Sequence, residues 1–158
     1  MNVKELILKL QLKVHPEGGY YRETYRSAGT VTADSGMVRN TSTAIYYLLE
    51  NEDKSHFHRI QSDELWFFHQ GQPLEICVIL GDQLFIIHLG NEIDKGEVPQ
   101  AIIPANCWFA SSVKNAVGYS LVSCTVSPGF DFSDFELAGR ENMIQQYPHL
   151  KNIIEKYT

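Results

Sequence analysis

Eight short apolar or aromatic runs fill the middle of the chain, each bounded by turn residues. They are Tyr20–Arg26, Ala44–Leu49, Glu64–Phe68, Leu74–Leu80, Leu84–Leu89, Ala101–Ile103, Trp108–Ala110 and Tyr119–Val126. Runs of this length and spacing are too short and too regular for a helical core, and they predict an antiparallel sandwich or barrel. Gly81-Asp82 between two of them is a two-residue hairpin signal. Helical spacing is confined to the ends. Val3, Leu6, Ile7, Leu10 and Val14 outline an amphipathic opening helix. The tail after Val126 reads as helical and is broken near Pro148, which has no amide hydrogen to continue a helix. Pro128-Gly129 reads as a type II turn with glycine supplying a positive φ.

No repeat, linker or low-complexity tract divides the 158 residues, which predicts one domain over residues 1–158. A chain of this size buries roughly 70% of its unfolded surface and can carry its own core. The net charge is −6 and no basic stripe appears, which argues against nucleic acid as a partner. Cys77, Cys107 and Cys124 are odd in number and widely spaced. They form neither a disulfide framework nor a CxxC zinc motif. Free thiols in strand-like runs suit a reducing compartment. The opening segment is too short and charged for a membrane span and lacks a leader's features. Cytoplasmic location is the expectation, with no membrane partner.

The stretch KSHFHRIQSDELWFFHQG (Lys54–Gly71) concentrates the chemistry. If the segment is extended, His56 and His58 share a face, because alternate side chains on a strand do. With Glu64 they make a candidate two-histidine, one-carboxylate set of the kind that suits a divalent transition metal. Glu64 shares a strand face with Trp66 and Phe68, so it is expected to point inward, with those two aromatics as ligand-binding candidates beside it. A carboxylate there needs a metal, an arginine such as Arg22 or Arg59, a hydrogen-bond network or a raised pKa. In YYRET, alternation sets Tyr21 and Glu23 on one face and Arg22 on the other. Glu23 is favoured for the pocket, with Arg22 as the alternative fork for an anion. Trp108 and Phe109 read either as an aromatic wall for a ring-shaped ligand or as core. Phe130, Phe132 and Phe135 read as packing anchors over an open barrel end or a partner subunit.

Four ordered blocks carry a family resemblance: HPEGGYYRETYRS (His15–Ser27), HRIQSDELWFFHQGQPLEI (His58–Ile76), IIPANCWFA (Ile102–Ala110) and VSPGFDFSDFELA (Val126–Ala138). They resemble the cupin superfamily, and within it the cupin five subfamily, a domain of unknown function. The resemblance implies an all-β jelly-roll barrel with a short N-terminal helix and C-terminal helical segments. It also implies a homodimer and a pocket inside one barrel end. The general cupin pattern is only partly met. Five residues separate His58 from Glu64, one more than the pattern allows, and Phe109 stands where the last metal-binding histidine belongs. Asn106 takes a glycine slot, which asparagine's tolerance of left-handed backbone permits.

Three functions follow as expectations. The first is a small polar ligand bound in the pocket, with metal-independent isomerisation or epimerisation of a carbohydrate-like substrate. His58 would be the general base, Glu64 or Glu23 would orient it or hold the ligand, and Tyr21 would return a proton. Metal-free sugar-nucleotide epimerases of the cupin fold supply the analogy. The second is metal-dependent chemistry at His56, His58 and Glu64. The third is a binding module without turnover.

Overall fold

The computed structural model describes residues 2–158. Helix α1 (Val3–Leu10) opens on a capping box, in which the Asn2 side chain accepts from the Glu5 amide and Glu5 reaches back to the Asn2 amide. Thirteen strands follow. They are β1 (Lys13–Val14), β2 (Tyr20–Arg26), β3 (Thr30–Thr32), β4 (Val38–Asn40), β5 (Thr43–Glu50), β6 (Lys54–Arg59) and β7 (Asp63–Gly71), then β8 (Leu74–Leu80), β9 (Gln83–Leu89), β10 (Gln100–Ile103), β11 (Trp108–Val113), β12 (Tyr119–Ser127) and β13 (Glu136–Leu137). Helices α2 (Arg140–Gln146) and α3 (Lys151–Lys156) close the chain, separated by a 3₁₀ turn that starts at Pro148.

Two antiparallel sheets face each other, ordered β1-β2-β5-β12-β7-β10 and β13-β6-β11-β8-β9, with β3-β4 a separate hairpin. The result is a mostly β, cupin-like jelly roll whose sheets stay distinct rather than closing into a cylinder. Tyr47, Trp66, Val122 and Cys124 of one sheet pack against Leu74, Ile76, Val78 and Phe109 of the other, all nearly inaccessible. Such interdigitated inner faces are what alternating strands build. Strand β8 (LEICVIL) is apolar almost throughout because both its faces are covered. Its Cys77 and Ile79 point away from the sandwich into a second cluster with Met143, Tyr147, Ile154 and Tyr157 of the C-terminal helices. Helix α1 and the residues just after it seal the opposite outer face, setting Leu6 and Leu12 on Leu48 and Leu121.

All eight anticipated runs are strands, and the Gly81-Asp82 loop joins Leu80 to its partner Gln83. Its positive φ falls at Gly81, as a type II′ turn requires. The short β1, β3, β4 and β13 lacked a readable period. The type II turn at Pro128-Gly129 is corrected: Ser127-Pro128 is cis and Gly129 has no positive φ. Glycine stands there for space. A Cβ would meet the Asn40 carbonyl oxygen at 3.0 Å, and the Gly129 amide donates to that same oxygen at 2.7 Å. Asn106 is left-handed (φ 64°), as its slot demands. The three cysteines are free thiols. Among the described residues, no helix is long and apolar enough to cross a membrane.

Candidate functional site

A cavity of about 440 Å³ opens at one end of the sandwich, between β1, β2, β5, β7 and β12 and the segment that follows β12. Its size falls within the ~300–1,000 Å³ typical of small-molecule sites. The floor is built by the turn between β1 and β2. Its closure uses two backbone bonds, His15 N–H to Gly19 O (2.9 Å) and Gly18 N–H to His15 O (3.1 Å). Gly18 has φ 113°, and a Cβ there would lie 2.0 Å from the Lys54 carbonyl oxygen. Only glycine lets this turn lie flat on β6. The Glu17 carbonyl then accepts from the His56 amide (3.1 Å) and from His56 Nδ1 (2.8 Å). The Glu17 side chain is driven inward, where Oε2 meets His58 Nε2 at 2.8 Å.

The state of the His58–Glu17 pair follows from its neighbours. His58 Nδ1 lies 2.7 Å from the His56 carbonyl oxygen, which can only accept, so Nδ1 carries hydrogen. Nε2 faces a carboxylate. Burial opposes charge on both partners, but each favours the other's ion, so Glu17 is held below the usual carboxylate range and His58 above the usual imidazole value. The pair is imidazolium and carboxylate. His15 differs. Its Nδ1 accepts from the Glu17 backbone amide at 3.2 Å, and burial lowers its pKa against the pull of Glu17. His15 is therefore neutral, with its hydrogen on Nε2.

Glu64 enters the same cavity from β7. It is 7% exposed and makes no ion pair among the described residues. Desolvation pushes its pKa up to about 7, with nearby Glu17 adding to the rise and His58 opposing it. The arginines considered as partners lie elsewhere. Arg22 donates to Gln11, and Arg59 pairs with Glu136 at 2.7 Å and stacks over Trp108.

Two β-bulges decide which other residues reach the cavity. On β6, Phe109 opposes His58 but Ser111 opposes Ser55, so two steps on β11 span three on β6. The extra residue breaks the period of two. His58 turns inward while His56 stays exposed and off the cavity wall. The shared face expected for the two histidines is therefore corrected. On β2, Glu23 opposes Ile45 and Tyr25 opposes Ala44, which makes Thr24 the extra residue. Tyr21, Glu23 and then Arg26, rather than Tyr25, line the cavity. Arg26 clasps both Glu23 oxygens at 2.9 and 2.8 Å.

The four aromatic candidates are also corrected. Trp66, Phe68 and Phe109 belong to the core between the sheets, and Trp108 faces the C-terminal helices. None of them lines the cavity. Phe130, Phe132 and Phe135 do, as a roof: Phe135 stacks on the His58 ring at 5.3 Å, and Phe132 lies 6.5 Å from His15. The roof is clipped down by Arg39, whose guanidinium makes two 2.7 Å bonds to Asp134.

A divalent metal at His56, His58 and Glu64 does not fit these residues. Both His58 ring nitrogens are engaged, His56 lies outside the cavity, and Phe109 offers no ligand atom. Among the described residues, no three histidine, cysteine or acidic side chains converge as a metal-binding group. Glu17, His15, Lys13 and Arg26 are functional candidates that periodicity missed. The turn hid the first two, β1 was unread, and a bulge moved Arg26.

The comparisons agree with this architecture. The chain is 33% identical over 147 residues to the uncharacterized protein YML079W of Saccharomyces cerevisiae, covering 84% of this chain and 73% of that one. A hypothetical protein from Leishmania major superposes with a TM-score of 0.96 at 38% identity, over 100% of this chain and 99% of the other. Protein SO0799 from Shewanella oneidensis gives 0.91 at 42% identity, over 100% and 98%. Oxalate decarboxylase from Bacillus subtilis shares the fold alone, with a TM-score of 0.58 at 13% identity over 92% of this chain and 36% of that one. The family described as Cupin superfamily (DUF985) matches residues 4–138. With its jelly roll, its four sequence blocks and relatives aligned along nearly its whole length, the chain belongs to the Cupin superfamily (DUF985).

Proposed function

We propose that the cavity binds a small polar, carbohydrate-like molecule and that Glu64 exchanges a proton with it, in a metal-independent isomerisation or epimerisation. One observation carries this reading: a carboxyl group with a pKa near 7 faces a ligand-sized cavity without a neutralising partner of its own. A general acid–base group works best when its pKa lies near the working pH.

The role first expected of His58 passes to Glu64. His58 is already protonated and both its nitrogens are occupied, so it supplies positive charge beside the reacting region. The Glu64 carboxylate would take a proton from carbon next to a carbonyl, leaving the electron pair delocalised onto that oxygen as an enolate. In an isomerisation the adjacent hydroxyl would pass its proton to the enolate oxygen, and the Glu64 acid form would return its proton to the former carbonyl carbon, leaving the new carbonyl on the neighbouring carbon. In an epimerisation, Tyr21 would return it from the other face. Tyr21 and Glu64 stand on β2 and β7, three strands apart in one sheet, and the register sets Tyr21 in line with Phe68 while Glu64 is in line with Arg26. Both side chains line the cavity.

Deuterium incorporation tests the reaction. Candidate aldoses, ketoses and their acids would be incubated with the protein in D₂O and followed by proton NMR. Exchange at one carbon, lost in Glu64→Gln, supports the reading. Tight binding without exchange would make the protein a binding module and remove the enzymatic claim. The homodimer rests on family resemblance and stays a proposal; a monomeric mass by light scattering would remove it.

A further inference from the structure

The charges lining the cavity are almost all spoken for. Glu17 is paired with His58 and Glu23 with Arg26. The remaining Arg26 donors go to Asn40 and the Phe130 carbonyl. Asp131 accepts from the Ser133 amide and hydroxyl. Lys13 is the exception among cations. It lines the cavity yet has no carboxylate within ion-pairing distance among the described residues. Its Nζ rests 5.0 Å from the Tyr21 ring centroid.

Lys13 does not stand alone. Lys13 and His15 are two residues apart along the strand direction, and Lys13 opposes Tyr21 across the ladder. The His15 and Tyr21 rings meet edge-on at 4.5 Å. Because the Glu17 amide fills His15 Nδ1, the hydrogen of this ring sits on Nε2. That nitrogen has no protein acceptor among the described residues, and the ring faces the cavity. One wall thus offers an ammonium, a fixed imidazole N–H and a phenol. These are donors in search of an acceptor. The far side holds Glu64, which repels an anion whenever it is ionised.

We infer that the ligand is an anion, a carboxylate or phosphate derivative whose acidic group seats on Lys13 and His15 while its uncharged end reaches Glu64. This rests on reading the cavity as a small-molecule site and names the class of molecule it takes. A strong acceptor on this wall would gain charge-assisted hydrogen bonds, whereas a neutral sugar would meet the exposed Lys13 ammonium with hydroxyls alone.

The test separates this inference from the catalytic reading. Acetate and inorganic phosphate would be titrated into the isotope-labelled protein, following the His15 ring nitrogens and the Tyr21 ring. A saturable shift with either ion, weakened about tenfold or more in Lys13→Gln, is expected; which ion binds tells carboxylate from phosphate. His15→Gln, which keeps a donor near the Nε2 position, should bind better than His15→Leu. Glucuronate, glucose 6-phosphate and glucose would follow by calorimetry, with the charged sugars favoured by about tenfold or more, equivalent to 1.4 kcal/mol. No saturable shift with either anion overturns the inference, even if neutral sugars bind and exchange protons. Anion binding without proton exchange sustains it and removes only the catalytic claim.

Discussion

His58 Nε2 lies 2.8 Å from Glu17 Oε2, in an ion pair with both side chains less than a tenth exposed. One partner comes from a tight turn and the other from a strand in the opposite sheet, so the contact ties the two layers together at the cavity floor. Each ion is tolerable there only because of the other.

Removing one partner should therefore cost far more than a surface pair would. Glu17→Gln is expected to destabilise the fold by about 3–5 kcal/mol in denaturant unfolding, by stranding a buried cation. The His58 ring should then titrate lower than in the wild type, which histidine NMR would read. An unchanged titration would mean that Glu17 does not control His58.

The same pair sets a pH window. Glu17 is depressed, so its contribution is complete above its ordinary value of 4.5 and fades as pH falls below it. His58 is raised, so its contribution is complete below 6.5 and fades as pH climbs through the folded value. Both act fully between 4.5 and 6.5.

Glu64 reinforces the alkaline decline. Its pKa is raised from 4.5 to about 7, so the folded state holds a proton that the unfolded chain has released. Stability from this group is complete below 4.5 and is lost as pH rises toward and past 7. The shift corresponds to about 3 kcal/mol by pH 8. Glu64→Gln should melt higher than wild type at pH 8 and lose that advantage at pH 4, while proton exchange on any substrate disappears. Equal melting curves at pH 8 would mean that Glu64 ionises without strain.

Metal content separates the two histidines of the HFH motif. Protein grown with manganese, iron, nickel and zinc should carry well below one equivalent, and His56→Ala should leave ligand binding unchanged. Near-stoichiometric metal that vanishes in His58→Ala would restore the facial set and displace the organic-ligand reading.

The roof can be loosened from outside. Arg39→Gln removes both bonds to Asp134 without touching a cavity residue. Limited proteolysis should then cut within residues 130–135 faster, and bound ligand should dissociate faster. Unchanged cleavage and dissociation would show that the aromatic contacts alone hold the segment.

The strand positions were legible because apolar runs and turn residues are local properties. The inward aim of Glu64 was legible too, since Trp66 marks the buried face of its strand. What failed was counting in twos across a bulge. His56 and Arg26 changed faces because Thr24 and one residue of the His56–Phe57 pair are extra in their ladders, and hydrogen bonding to a distant strand decides that. Glu17 was hidden differently. Nothing in PEGG says that the turn will lie on Lys54, since the fit of Gly18 against a carbonyl oxygen exists only in the folded chain. Phe109 was readable as a missing metal ligand, but not as a ring packed 4.1 Å from His58.

The roof also sets an order in time. Lys13, His15 and Glu17 leave the ribosome early, and Phe130–Phe135 more than a hundred residues later. At synthesis rates of about 5–20 residues per second, the cavity floor waits several seconds for its cover. A chain ending after β12 would include every strand of the six-stranded sheet but lack the Phe130–Phe135 part of the cavity lining. Ligand capture would thus report that Phe135 has emerged and docked, and a tight ligand would favour chains that carry the roof over truncated ones.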